Sequence, residues 1–164
     1  MVHLITPLTQ EDQNPVMDIF NHYIEHSFSA YPETMLPYPN FGMLLNMAQG
    51  YPAGAIKNPG GELLGYGMLR PYSPIPAFSE TAEISYFLHP DHTGKGLGRN
   101  LLDYLEKGAR EKGVKNILAS ISSLNPGSMK FHEQNGFIPC GCFKGVGRKK
   151  GRIFDVVWMQ KSLA

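Results

Sequence analysis

The segment that most limits how this chain can fold is Pro90-Asp91-His92-Thr93-Gly94-Lys95-Gly96-Leu97-Gly98-Arg99. It joins a run of strand character, Thr81 to Leu88, to the strongest helical pattern in the sequence, the apolar series Leu97, Leu101, Leu102, Leu105 and Ala109. Glycines at 94, 96 and 98 let the main chain pass close to a ligand and turn its N–H groups outward. The helix start supplies orphan N–H donors and roughly half a positive charge, and Lys95 and Arg99 add full charges. Residues 93–99 therefore read as a cradle for an anion the size of a pyrophosphate. Two familiar phosphate loops fail on spacing. A Walker loop needs Ser or Thr after its Gly-Lys, where this chain has Gly96. A dinucleotide fingerprint needs a third glycine where Arg99 stands, and an acidic residue ending the next strand. The plain alternative is a glycine-rich strand-to-helix turn that binds nothing.

The elements around this loop predict an α/β domain with helices on a mixed sheet. Val2 to Thr6 reads as a strand, and a helix starts near Asp12 or Asn14 with Pro15 in its first turn and Val16, Ile19, Phe20, Tyr23 and Ile24 on one face. Pro32, Pro37 and Pro39 make Phe28 to Asn40 a loop, and Phe41 to Gln49 reads as a short helix. Strands are expected at Tyr51 to Lys57 and Glu62 to Arg70 about the Asn58-Pro59-Gly60-Gly61 turn, then a rigid loop from Pro71 to Phe78. The long helix from Leu97 ends at Gly113, with Asp103–Lys107 and Glu106–Arg110 as pairs on its wet face. Lys115 to Ile121 reads as a buried strand, Asn125-Pro126 opens a helix that Asn135-Gly136 closes, and strands Phe137 to Phe143 and Arg152 to Gln160 complete the sheet. With 164 residues, the chain suits one domain spanning residues 1–164.

Charge excludes some functions. Fifteen Lys and Arg against 14 Asp and Glu leave a net charge of +1, so no global field draws the chain to nucleic acid or an anionic membrane. No run approaches the ~20 apolar residues that span a bilayer, and Met1 to Pro7 lacks a leader pattern, so the expected compartment is the cytoplasm. Cys140 and Cys142, two apart on one strand, are poorly placed for a disulfide with each other and too few for a metal site. They read as reduced thiols, and no metal is expected.

Several short motifs in order carry a family resemblance over nearly the whole chain. They are Ile19-Phe20-Asn21-His22, Thr81-Ala82-Glu83, the glycine loop, Asn125-x-x-Ser128-x-x-Phe131-His132-Glu133-x-x-Gly136-Phe137, and Gly147-x-Lys149-x-Gly151-Arg152-x-x-Asp155. This set resembles the GNAT N-acetyltransferases, within them the phosphinothricin (methionine sulfoximine) acetyltransferase branch. Thr93 stands where the family's loop usually has Gln or Arg. The resemblance implies the GNAT acyl-CoA N-acyltransferase fold, a mixed, mostly antiparallel seven-stranded sheet with about four helices. It also implies acetyl-CoA as cosubstrate, a small primary amine as acceptor, and a homodimer.

Residue by residue, the resemblance places the pyrophosphate on Thr93, Gly94, Lys95, Gly96, Leu97, Gly98 and Arg99. It implies that the strand ending at Leu88 splays from the strand at Ile117 to Ile121. Acetyl-pantetheine would then lie along Tyr86, Phe87 and Leu88, with Phe87 and Leu88 backbone pairing its amides and Asn125 and Ser128 beside the arm. Asn125 is equally a good N-cap. Glu83, in an otherwise apolar strand, is the candidate general base, with partial burial expected to raise its pKa. The alternative for Glu83 is a strand-edge carboxylate paired with a surface cation. His132 is the candidate proton donor to the departing thiolate, or else a helix histidine bonded to a carbonyl. Phe28, Tyr31, Tyr72 and Thr81 are the expected acceptor-binding residues, with Tyr38 and Phe78 as further wall aromatics unless these rings simply cover the core edge. The branch places Arg residues near its glutamate. Here Tyr72-Ser73 and Phe78-Ser79-Glu80-Thr81 stand there, with Arg70 slightly earlier, which points to an acceptor other than phosphinothricin or methionine sulfoximine. Acetylation of a protein N-terminus or lysine, and non-catalytic sensing of acetyl-CoA, remain the alternatives.

Overall fold

A computed structural model describes residues 3–164, so Val2 of the expected first strand lies outside the described residues. Strands β1 (Leu4–Pro7), β2 (Ala53–Lys57), β3 (Leu63–Pro71), β4 (Thr81–Leu88), β5 (Asn116–Ser122), β6 (Ile138–Lys149) and β7 (Arg152–Ser162) form one seven-stranded sheet in the order β1-β2-β3-β4-β5-β7-β6. All neighbours run antiparallel except β4 and β5, which are parallel because α3 crosses between them. The helices are α1 (Gln13–His26), α2 (Phe41–Met47), α3 (Leu97–Lys112) and α4 (Pro126–Gln134).

The helices divide between the two faces of the sheet. On one, Val16, Met17 and Ile19 of α1 and Phe41 of α2 bury against Ala55, Tyr66 and Met68. On the other, Leu102, Leu105 and Ala109 of α3 pack on Leu69, Ala82, Ile84, Ile117 and Ala119. Central strands covered on both faces read as continuous apolar runs, and β3 is buried along nearly its whole length.

Helix α3 departs from expectation on its polar side. Glu106 is buried rather than wet, its Oε2 accepting from Lys161 Nζ of β7 at 2.7 Å and its Oε1 lying 3.5 Å from Arg110. Among the described residues no ion pair joins Asp103 to Lys107. Strand β6 runs beyond Phe143 to Lys149, because register shifts at 139–141 and 143–147 absorb residues that a regular ladder would exclude. Cys140 lies in the first of these irregularities. Both cysteines are free and exposed.

Candidate active site

The parallel pairing of β4 and β5 lasts three residues: Thr81 faces Asn116, Ala82 faces Ile117 and Glu83 faces Leu118. From Ile84 the two strands part, while β5 stays paired to β7 as far as Ser122. A cavity of about 640 Å³ opens in the parting, walled by Ile84 to Leu88 on one side and Ala119 to Ser122 on the other. The expected splay is therefore present.

The gap-facing register differs from the expectation. His89 N–H donates to Leu64 O of the β3 side at 2.7 Å, and the Phe87 carbonyl lies over Gly65. Alternation along an antiparallel ladder then commits the main chain of Phe87 to β3 and turns that of Ile84, Tyr86 and Leu88 toward the cavity. Tyr23 Oη of α1 donates to Leu88 O at 2.6 Å, so that carbonyl already accepts one hydrogen bond. Sequence reading took Tyr23 only as part of an apolar helix face, and nothing in its spacing signals this bond.

At the end of the cavity the glycine loop meets α3. Gly94 and Gly96 have φ of 72° and 82°, and Gly96 is the left-handed N-cap of α3 with no side chain bonded to the helix end. A bare helix start leaves its first N–H groups for a ligand. A Cβ on Gly96 would meet no protein atom within 4 Å. Gly98 is held differently, since a Cβ there would stand 3.4 Å from the Phe131 ring. Thr93, Gly94, Gly96, Gly98 and Arg99 line the cavity. The Thr93 hydroxyl, though, is turned back to Pro90 O at 3.3 Å. Leu97 is a buried core residue beside Leu101, Ile56 and Leu64, and Lys95 is not part of the wall. Helix α4 supplies the far side, where Asn125 caps its own helix by accepting from Ser128 N–H at 3.2 Å while still lining the cavity.

Two polar groupings flank the parting. Tyr86 Oη lies 2.7 Å from His132 Nε2, and His132 Nδ1 lies 2.7 Å from the Ser128 carbonyl. Burial lowers the His132 pKa against the raising effect of that carbonyl, and burial pushes the Tyr86 hydroxyl well above the ordinary tyrosine range. At the foot of the split, Arg70 Nη2 donates to Glu83 Oε2 at 2.7 Å and Arg70 Nη1 to Ser85 Oγ at 2.6 Å. Glu83 is thus not an isolated carboxyl in an apolar strand. It is a partner in an ion pair, one residue before the cavity wall begins.

The expected acceptor residues are not brought to the wall. Phe28 and Tyr31 pack on Phe154, at ring separations of 6.1 and 5.7 Å, and it is Ser29 between them that lines the cavity. Tyr31 reaches the site only through its hydroxyl, 3.3 Å from Ser120 Oγ. Tyr72 and Phe78 pack on each other at 5.6 Å. Thr81 sits at the closed end of the β4–β5 pairing, and Tyr38 is turned away to bond Asp18 of α1. The Phe28–Tyr31 segment is pinned instead by Lys149, a fully buried lysine whose Nζ donates to Ser27 O at 2.7 Å and Ala30 O at 2.6 Å. Burial and the neighbouring Lys150 lower its pKa, with Glu33 opposing them. Among the described residues no group of three or more His, Cys, Asp or Glu could hold a metal. No described helix is long and apolar enough to cross a membrane.

Residues 16–137 match the model of the acetyltransferase (GNAT) family. The L-methionine sulfoximine/L-methionine sulfone acetyltransferase of Pseudomonas aeruginosa is 33% identical over 150 residues, covering 90% of this chain and 87% of the relative. Among solved structures, a phosphinothricin acetyltransferase of Sinorhizobium meliloti in complex with acetyl-CoA superposes with a TM-score of 0.94 at 25% identity, over 100% of this chain and 90% of that one. A ribosomal-protein-alanine N-acetyltransferase of Brucella melitensis superposes with a TM-score of 0.91 at 32% identity, over 97% and 99% of the two chains.

Proposed function

The chain belongs to the GNAT acetyltransferase family, and on that premise we propose that it moves an acetyl group from acetyl-CoA to the primary amine of a small molecule. The observation that carries this reading is the meeting of a strand split with a glycine-lined, uncapped helix start at one end of it. The diphosphate would sit on the loop at 93–99, with Arg99 and the first N–H groups of α3 facing it. The pantetheine arm would lie between β4 and β5 against the gap-facing main chain of Ile84, Tyr86 and Leu88. One N–H there, aimed at the thioester oxygen, would be worth roughly 3–4 kcal/mol as charge develops.

The acceptor arrives as an ammonium and must be neutral to attack. Glu83 takes one proton, through a water because its carboxylate stands just outside the cavity wall. The C–N bond forms, the C–S bond breaks, and the second proton lost by nitrogen ends on the CoA sulfur. Cytoplasm is the proposed compartment, in keeping with two free thiols. A homodimer is proposed, with the exposed apolar residues Ile138, Phe143 and Val146 of the outermost strand as the surface a second copy would cover.

Titration calorimetry with acetyl-CoA and with CoA tests the donor, and a CoA-release assay over an amine panel tests the reaction. Saturable heat and amine-dependent CoA release are expected. Absence of heat on folded protein removes the donor assignment, and binding without turnover makes the chain a sensor. The panel should include a peptide with an N-terminal alanine, because the Brucella structure favours protein acetylation as the second reading.

Within that panel phosphinothricin and methionine sulfoximine are expected to be poor acceptors. Arg70 is held by Glu83 and Ser85, and Ser73 and Ser79 carry no charge to grip a carboxylate. A micromolar KM for either compound would contradict this.

A further inference from the structure

Tyr86 borders the split with its main chain while its side chain reaches the helix on the opposite side. Its backbone faces the gap by the β4 register, and its hydroxyl meets His132 of α4, the helix that follows β5. The roles within this contact follow from its other end. The Ser128 carbonyl has no proton to give, so a 2.7 Å approach by His132 Nδ1 makes that nitrogen the donor. A neutral ring protonated on Nδ1 carries a bare Nε2, which accepts from the Tyr86 hydroxyl. Both ring nitrogens are then engaged, and neither presents a proton to the cavity.

The surroundings keep the pair neutral. His132 is 4% exposed, with the Phe131 and Phe137 rings packed edge-on against it and Tyr86 on its third side. The carboxylate that acts on Tyr86 is Glu106 of α3, which is itself paired with Lys161 and Arg110. No cation stands in this set to accept a tyrosinate, and no carboxylate bonds the imidazole to favour its protonation.

We propose that Tyr86 is a positioning residue that ties β4 to α4 across the split through His132, and that His132 is a neutral acceptor in this tie rather than the acid that protonates the thiolate. The tie fixes where the gap-facing N–H groups of β4 stand. Its catalytic consequence rests on acetyl-CoA occupying the split, whereas the tie itself does not.

Nitrogen-15 NMR of the His132 ring in the unliganded protein reads the tie directly. The expected signature is a protonated Nδ1 and a bare Nε2 that stay unchanged from about pH 8 to about pH 6. A ring carrying its proton on Nε2, or titrating near the ordinary histidine value of about 6.5, overturns the proposal. Tyr86→Phe removes the tie while keeping the ring. It should shift the Nε2 resonance and lower kcat by about 10- to 100-fold through misplacement of the gap-facing amides. The pH profile of kcat should keep its shape, because His132 contributes no limb to it. Loss of the alkaline limb on His132→Gln would assign the acid role to His132 and end the proposal. Failure of acetyl-CoA to bind would sink the donor assignment while leaving the NMR result standing, so the two readings separate.

Discussion

Glu83→Gln is expected to lower kcat by about 10² to 10⁴ while leaving the acetyl-CoA dissociation constant within about twofold. The substitution is isosteric, and its amide oxygen can still accept from Arg70 Nη2, so the contact that joins Arg70, Glu83 and Ser85 keeps its geometry. What disappears is the capacity to hold a proton. The residual rate should rise steeply with pH, since the acceptor must then lose its proton to solvent, and the difference from the parent enzyme should narrow as the amine becomes neutral unaided. Activity within a few-fold of the parent at neutral pH would reduce Glu83 to the partner of Arg70. Arg70→Met separates the two roles from the other side. Should Glu83 matter only as an ion-pair partner, this variant would lose turnover while Glu83→Gln, which keeps the contact, loses little; should Glu83 act as base, turnover would persist in Arg70→Met and collapse in Glu83→Gln.

What the sequence made legible is mostly local. The bounds of β4 agree with the pattern from Thr81 to Leu88, Gly113 ends α3 in a left-handed cap, and Asn125-Pro126 opens α4 with the side-chain bond expected of an N-cap. Each of these depends on residues within a few positions of one another. The splay of β4 from β5 could be inferred only through family resemblance, because the loss of pairing after Glu83 is a property of two strands whose last paired residues, Glu83 and Leu118, are far apart in sequence. The same holds for the side-chain partners that shape the site. Glu106 looked like a solvent-facing member of an i,i+4 pair until Lys161, from the last strand, came to cover it. Arg70 and Glu83 are cross-strand neighbours whose pairing follows from the β3–β4 register, and no periodicity reports a register.

The packing of the aromatic residues on the acceptor side was hidden from the sequence for a related reason. Phe28 and Tyr31 were expected to face a substrate, yet Phe154 of β7 and the buried Lys149 claim the segment that carries them. A ring on a loop is drawn to whatever apolar surface the fold leaves nearby, and that surface is set by the far end of the chain. Ser29 and Ser120, which do line the cavity, carry no pattern that distinguishes them from other serines.

Gly96→Val should raise the dissociation constant of acetyl-CoA by tenfold or more, and the reason can be separated from simple loss of stability. A β-branched residue at φ 82° is strained, at a cost of about 1–3 kcal/mol. That cost alone predicts a lower melting temperature and says nothing of ligand. The second effect is steric: Gly96 lines the cavity and no protein atom lies within 4 Å of where its Cβ would stand, so the new methyl groups are expected to intrude on the space assigned to the diphosphate. Gly113 provides the matched control. It caps the other end of the same helix at φ 90°, a Cβ there also meets nothing within 4 Å, and it is not part of the cavity wall. Gly113→Val should therefore cost similar stability and leave acetyl-CoA affinity unchanged. Calorimetry on both variants, with melting curves to confirm folding, decides the matter. Equal affinity in the two would detach the diphosphate from this loop, because backbone strain is common to both and only the placement of the side chain differs.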